Sequence, residues 1–118
     1  SVFAKLKERF PTHSLASKTT VLAGMCLMRA GAWDMAIEKL DSVVDNTELD
    51  APQLKAEAMY WKGDTLLRKI AAGQGGSDDA PEAYRTFKQL VWDYPDTKWA
   101  KYARGRLIDE DSLQGVEE

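Results

Sequence analysis

The side chains that could do chemistry are few, and their spacing keeps them apart. His13 is the only histidine. It lies in a Pro-Thr-His-Ser stretch with no cysteine or acid pair at metal-ligand spacing, so it reads as a surface turn residue. No Ser-His-Asp set stands at a spacing that suggests nucleophilic catalysis. Gly73-Gln74-Gly75-Gly76 lacks the Lys-Ser/Thr of a phosphate loop and follows no strand, so it reads as a flexible insertion. The carboxylate runs Asp78-Asp79 and Asp109-Glu110-Asp111 lack calcium-loop spacing. Cys26, on an apolar helical face, reads as a small core residue. Nothing here makes an enzyme, and no cofactor or metal is expected. What remains is binding chemistry. Tyr60 and Arg68 lie eight residues apart, about two helical turns, and so share one face of a helix. An aromatic ring and a guanidinium on one face suit a segment carrying apolar and carboxylate side chains.

Composition narrows the partners. The 118 residues carry 16 Lys and Arg against 19 Asp and Glu, a net charge of −3, which gives no global basic field for nucleic acid. The longest uncharged run, Thr19 to Met28, is ten residues, far short of the ~20 needed to span a bilayer. One cysteine excludes an internal disulfide. Charge is uneven: residues 1–30 are net +4 and residues 31–60 net −5, a basic end and an acidic middle that could orient neighbours along a stack.

Helical periodicity positions these groups. The spacing predicts helices near 2–10, 14–30, 33–45, 51–72, 80–94 and 97–109, with Ser14 capping the second and Pro52 in the first turn of the fourth. The second is apolar on most sides, as for a helix sandwiched between neighbours. No window alternates as a strand would. Residues 1–112 read as one helical domain and 113–118 as a short acidic tail. Trp33 falls on a core stripe, whereas Trp92 falls off its stripe.

The pattern also repeats. Phe3-x-x-Leu6-x-x-x-Phe10-Pro11 recurs as Phe87-x-x-Leu90-x-x-x-Tyr94-Pro95, and Gly24-x-x-Leu27 recurs as Gly63-x-x-Leu66. The repeated unit is a helix hairpin. Gly24 and Gly63 in first helices, with Ala36 and Ala83 in second helices, mark places where two axes approach closely. Overpacking at Gly63 should therefore be costly, and an alanine at Gly75 in the insertion mild.

Ala23-Gly24-x-Cys26-Leu27-x-x-x-Gly31-x-Trp33-x-x-Ala36-x-x-x-Leu40 resembles the tetratricopeptide repeat. A second copy keeps Gly63, Leu66, Ala83, Phe87, Leu90 and Pro95 but departs at Lys62, where a large apolar residue is usual, and by the insertion. The resemblance implies an all-α, right-handed α-solenoid of antiparallel helix hairpins, with about two full repeats plus flanking helices. It implies a scaffold that binds a protein or peptide on a concave face lined by first helices. That face would carry Lys18, Val21, Met25, Met28 and Arg29 from the first copy, Glu57, Tyr60, Asp64 and Arg68 from the second, and Tyr102 and Arg106 from the last helix. Arg29, Arg68 and Arg106 would meet carboxylates of the partner, while Met25, Met28 and Tyr60 held its apolar side chains. The competing reading of the arginines is that they bridge neighbouring helices through Glu57, Asp64 or Asp109.

Tyr94-Pro95-Asp96-Thr97 and Phe10-Pro11-Thr12-His13-Ser14 are similar to the inter-hairpin turns of bacterial envelope repeat proteins of the outer-membrane-assembly lipoprotein and Tol-Pal coordinator type. That likeness implies a periplasmic or outer-membrane-associated setting, with the cytoplasm as the alternative. The alternative function is a structural spacer, or a module that self-associates through the apolar face of the first helix.

Overall fold

The computed structural model describes the backbone of residues 12–117 and the side-chain surroundings of residues 15–108. Among the described residues five α-helices follow in order: α1 Thr12–Arg29, α2 Trp33–Val44, α3 Pro52–Ala71, α4 Asp79–Asp93 and α5 Lys98–Glu117. No strand occurs among the described residues. The helix expected at 2–10, and with it the self-association face, lies outside the described residues. Successive helices pack as hairpins, α1 with α2 and α3 with α4, while α3 also touches α1 and α5. The result is a helical-repeat solenoid, elongated to 57 × 30 × 23 Å.

Local chemistry sets the ends. Gly31 and Gly73 hold positive φ of 80° and 77°, each one residue past a helix cap. Behind Gly31, Ala32 N–H donates to Leu27 O at 2.9 Å and Gly31 N–H to Met28 O at 3.0 Å. Behind Gly73, Gln74 N–H donates to Lys69 O and Gly73 N–H to Ile70 O, both at 3.0 Å. These paired bonds close the last turns of α1 and α3, and only glycine takes that backbone without strain. At α5, Thr97 Oγ1 accepts from Ala100 N–H at 3.1 Å and donates to Tyr94 O at 2.8 Å, so the Tyr-Pro-x-Thr turn supplies a helix cap.

Several expectations are corrected. α1 begins at Thr12, so Ser14 lies inside the helix and His13 is in its first turn, a shift within the ordinary spread of helix ends. α4 begins at Asp79, with Pro81 inside its first turn, where the missing N–H costs nothing. α5 continues past Asp109 to Glu117 because no proline interrupts it. Cys26 is exposed, not core, and Leu22 one turn before it is exposed too. α1 packs through Val21, Gly24 and Met28, so this opposite face is left open among the described residues. Trp33 is only half-buried, whereas Trp92 lies off its stripe in keeping with its spacing and is 82% exposed. The insertion is also tied down. Gly76 N–H donates to Asp79 Oδ2 at 2.7 Å, and the site for a Cβ on Gly75 lies 2.6 Å from Ile70 Cγ1 and 2.9 Å from Ile70 Cα. The expectation of a mild Gly75→Ala fails because Ile70 backbone fills that space.

The glycine pairs sit where the repeat puts them. A Cβ on Gly24 would meet Leu40 at 3.0 Å, with Ala36 O at 3.5 Å, and a Cβ on Gly63 would meet the Phe87 ring at 2.7 Å. Two cores result. Val21, Leu40, Val43, Leu49 and Ala58 form one. Ala56, Met59, Phe87, Leu90 and Ala103 form the other.

Lysines on α3 tie the second helices to it. Lys62 Nζ lies 2.9 Å from Asp41 of α2 and 3.5 Å from Glu82 of α4. Lys69 Nζ, two turns on, lies 3.1 Å from Asp34 of α2 and 3.3 Å from Asp79 of α4. The departure at Lys62 is thus a cross-link between α2 and α4, which make no backbone approach to each other. Burial pulls the Lys62 ammonium down, but its bonds to Asp41 and Glu82 outweigh this and leave it raised.

Candidate site on the inner face of the first helices

α1, α3 and α5 stand side by side, with α3 in the middle. Its inner face carries two buried carboxylates, Glu57 and Asp64, seven residues and hence about two turns apart. A buried carboxylate needs partners, and both flanking helices supply them. Lys18 of α1 reaches Glu57 Oε1 at 2.8 Å. Arg106 of α5 reaches Asp64 Oδ1 at 2.9 Å and donates to Tyr60 Oη at 3.2 Å. Arg68 closes the other oxygen, Asp64 Oδ2, at 2.7 Å. Partial burial lowers the Arg106 guanidinium, and the bonds to Asp64 and Tyr60 more than compensate, so it stays raised.

Aromatic rings fill the space between these pairs. Tyr60 has ring-centre separations of 5.7 Å to Trp99, 6.0 Å to Tyr102 and 5.7 Å to Phe87. Trp61 lies 6.0 Å from Trp99, its Nε1 buried without a hydrogen-bond partner. Arg106 also lies over the Phe87 ring at 5.4 Å. Toward the starts of α3 and α5 the face opens into a cleft of about 400 Å³, lined by Lys18, Gln53, Leu54, Glu57, Lys98 and Trp99. Lys98 covers the Trp99 ring at 4.9 Å.

The structure therefore places Lys18, Glu57, Tyr60, Asp64, Arg68, Tyr102 and Arg106 on one face. It separates the rest. Met28 is 2% exposed and cannot meet a partner, because it sits on the packed side of α1. Val21 is fully buried, and Met25 packs against the first core. Arg29 is exposed in the last turn of α1, where a cation suits the helix end. Lys18, Arg68 and Arg106 each already hold a carboxylate of α3; of the arginines only Arg106 bridges neighbouring helices, while Arg68 pairs with Asp64 within α3. Trp99 and Gln53 were missed. The signal for Trp99 was its place about one turn before Tyr102 and two before Arg106 on the same helix.

The arrangement defines a helical-repeat protein in which the first helices α1, α3 and α5 stand in a row. Residues 57–97 match the family model of the tetratricopeptide repeat, the segment that runs from Glu57 through α4 to the Thr97 cap. Such repeats generally mediate protein–protein interaction and are typically non-enzymatic scaffolds. No curated protein and no solved structure matches the chain. No described helix is long and apolar enough to cross a membrane.

Proposed function

We propose that the chain is a protein-binding scaffold that receives a segment of a partner protein along the inner face of α1, α3 and α5. The observation that carries this is Tyr102, a large ring 47% exposed at the edge of the Tyr60–Trp99 cluster and braced by it. Exposed rings with a buried base are the usual anchors of an interface. Both carboxylates are already paired, Glu57 with one cation and Asp64 with two, and the exposed ring marks an apolar or aromatic side chain as the partner's main anchor. The paired cations serve as a polar rim. A photo-crosslinking residue placed at Tyr102 in cells tests this against the same residue at Trp92, which is more exposed but lies on the outer side of α4. Crosslinks to another protein at Tyr102 and none at Trp92 are expected; equal yields at both, or none at Tyr102, refute the reading.

We further propose that the scaffold works within a bacterial cell-envelope protein. Support comes from the resemblance of Tyr94-Pro95-Asp96-Thr97, the turn in which Thr97 caps α5. Fractionation of cells carrying the tagged full-length protein checks it, and recovery in the cytoplasm alone would sink it.

A further inference from the structure

The outer face of the molecule carries one ridge twice, with its charge inverted. α2 buries Ala36, Leu40 and Val43, and α4 buries Ala83, Phe87 and Leu90 at one constant offset. The two second helices are therefore turned alike about their axes, and residues at that offset face the same way. Opposite the buried stripe, α2 and its cap set Asp34, Glu38, Asp41 and Asp45 at i, i+4, i+7 and i+11, a ridge of acids along one helix face. The same places on α4 hold Pro81, Arg85, Lys88 and Trp92. Arg85 thus stands where α2 has Glu38, and Lys88 where it has Asp41. Glu38, Asp45, Arg85 and Lys88 are exposed, and among the described residues none of these four has an ion-pair partner. Trp92 is the most exposed of the large apolar side chains among the described residues, at 82%. Between the two ridges lies a cleft of about 300 Å³, with Val44 and Met59 among its lining and Arg85 and Gln89 on its α4 side. The ridges point away from α1, α3 and α5 and from any hairpin stacked on either end of the row. Their exposure does not depend on where the row stops.

We infer that this outer face joins two copies of the chain, with the α2 ridge of each laid on the α4 ridge of the other. The occupant follows from the charges, because the complement of each ridge is the ridge beside it. Lys69 meets the first turns of both second helices, at Asp34 and Asp79, and Lys62 meets both farther along, at Asp41 and Glu82, so α2 and α4 run in the same direction. A two-fold axis along the helices, above the cleft, therefore lays acid on base twice and closes the pair. Glu38 comes opposite the second copy's Arg85 to within about one helical turn, and Asp41 and Asp45 come opposite its Lys88. An axis across the helices would lay acid on acid and base on base, so charge selects the orientation. Exposed ion pairs of this kind add little affinity. That comes from Trp92, one turn beyond Lys88, whose ring takes the apolar lining of the second copy's cleft at Val44 and Met59. Tryptophan is the side chain most often found as such an anchor. This contact leaves the inner face of α1, α3 and α5 free. A photo-crosslinker at Trp92 then joins two copies of the chain and captures no other protein.

Sedimentation equilibrium of the chain over a range of concentrations tests this. Monomer and dimer should exchange, and the dimer should weaken at about 1 M salt, where the screening length falls to about 3 Å. Arg85→Glu with Lys88→Glu makes both ridges acidic and should raise the dissociation constant about tenfold or more. Glu38→Lys with Asp45→Lys turns the acidic ridge basic and should do the same. An equimolar mixture of the two double variants should dimerise again, one copy of each, a rescue that misfolding of either variant could not produce. Trp92→Ala should weaken the dimer about tenfold or more and leave the melting temperature of the dilute monomer unchanged. A chain that stays monomeric up to about 1 mM overturns the inference. A dimer indifferent to both charge reversals, or a mixture that fails to re-form one, overturns it too. Binding of the monomer to anionic phospholipid vesicles, lost in Trp92→Ala, would make a lipid surface the occupant and overturn the assignment to a second copy.

Discussion

Three glycines on three first helices offer an internal calibration of packing. Gly63→Ala would place its new carbon 2.7 Å from Phe87 Cε1 and Cζ, about 0.7 Å short of ordinary carbon contact. Phe87 is fully buried and braced by Tyr60 and Tyr84, so the ring has little room to retreat. Overpacking of this kind costs roughly 1–3 kcal/mol. Against it stands about 1 kcal/mol from replacing glycine inside a helix. Gly105→Ala gains the same helix term and meets nothing. The propensity term cancels in the comparison, so the two variants should differ by roughly 1–3 kcal/mol, which is about 4–12 °C in melting temperature for a chain of this size. Gly24→Ala should fall between them, because its obstacle at 3.0 Å is the end of a leucine side chain that can rotate. Thermal and urea melts followed by circular dichroism measure all three. Equal shifts at Gly63 and Gly105 would refute the assignment of α4 to a tight seat on α3 and of α5 to an open one.

Gly75→Ala should destabilise the turn by about 1–3 kcal/mol, since the new carbon would meet Ile70 main chain; urea titration checks it, and a neutral effect would count against the turn geometry. Asp64→Asn should cost about 1.5–3 kcal/mol through weaker bonds to Arg106 and Arg68, with Arg106→Ala adding less in the double variant than alone, a non-additivity that denaturation cycles measure. Asp79 accepts from Gly76 N–H and lies beside Lys69, which together hold its carboxyl below the usual 3.8 despite partial desolvation. Its contribution is therefore complete above about pH 4 and fades as pH falls through the lowered folded value; Asp79→Asn should flatten acid melts in that window. Lys62 and Lys69 lie above their usual 10.5, so what they contribute is complete below that pH and is lost as pH rises through the folded values, visible as alkaline softening that Lys62→Met reduces.

The fold was legible because its signals are local or periodic. Gly24, Ala36, Gly63 and Ala83 marked close approaches, and the apolar stripes of α2 and α4 gave their buried sides directly. Depth was less legible. Met28 and Met25 share the face of α1 that resemblance assigned to the partner, yet the packing of α1 on its neighbours buries one and half-buries the other. Cys26 looked internal because the whole helix is apolar, and only the arrangement of neighbours shows which side lacks cover. The charge network was legible only where an arginine bridge to Asp64 stood as the competing reading; the lysine pairs were not. Lys62 reads as a surface residue by type, and its partners Asp41 and Glu82 are about 20 residues away in either direction. The same holds for Glu57, whose cation comes from α1. Pairings at that separation depend on rotation of each helix about its axis, which periodicity fixes too coarsely.

The wiring of α3 bears on how the molecule comes apart. In an array of repeats each unit normally answers only to its neighbours, and end units fray first. Here one helix holds acids toward α1 and α5 and lysines toward α2 and α4, so four helices are fastened to a single shared element. Opening either hairpin strips α3 of charges it cannot leave unpaired in a half-buried setting. The two hairpins therefore lose their amide protection together rather than in sequence, and slow hydrogen exchange in α3 should set the pace for α2 and α4 alike. A scaffold with that property presents its inner face whole or not at all, so a partner meets a surface of fixed curvature instead of one that loosens from its ends.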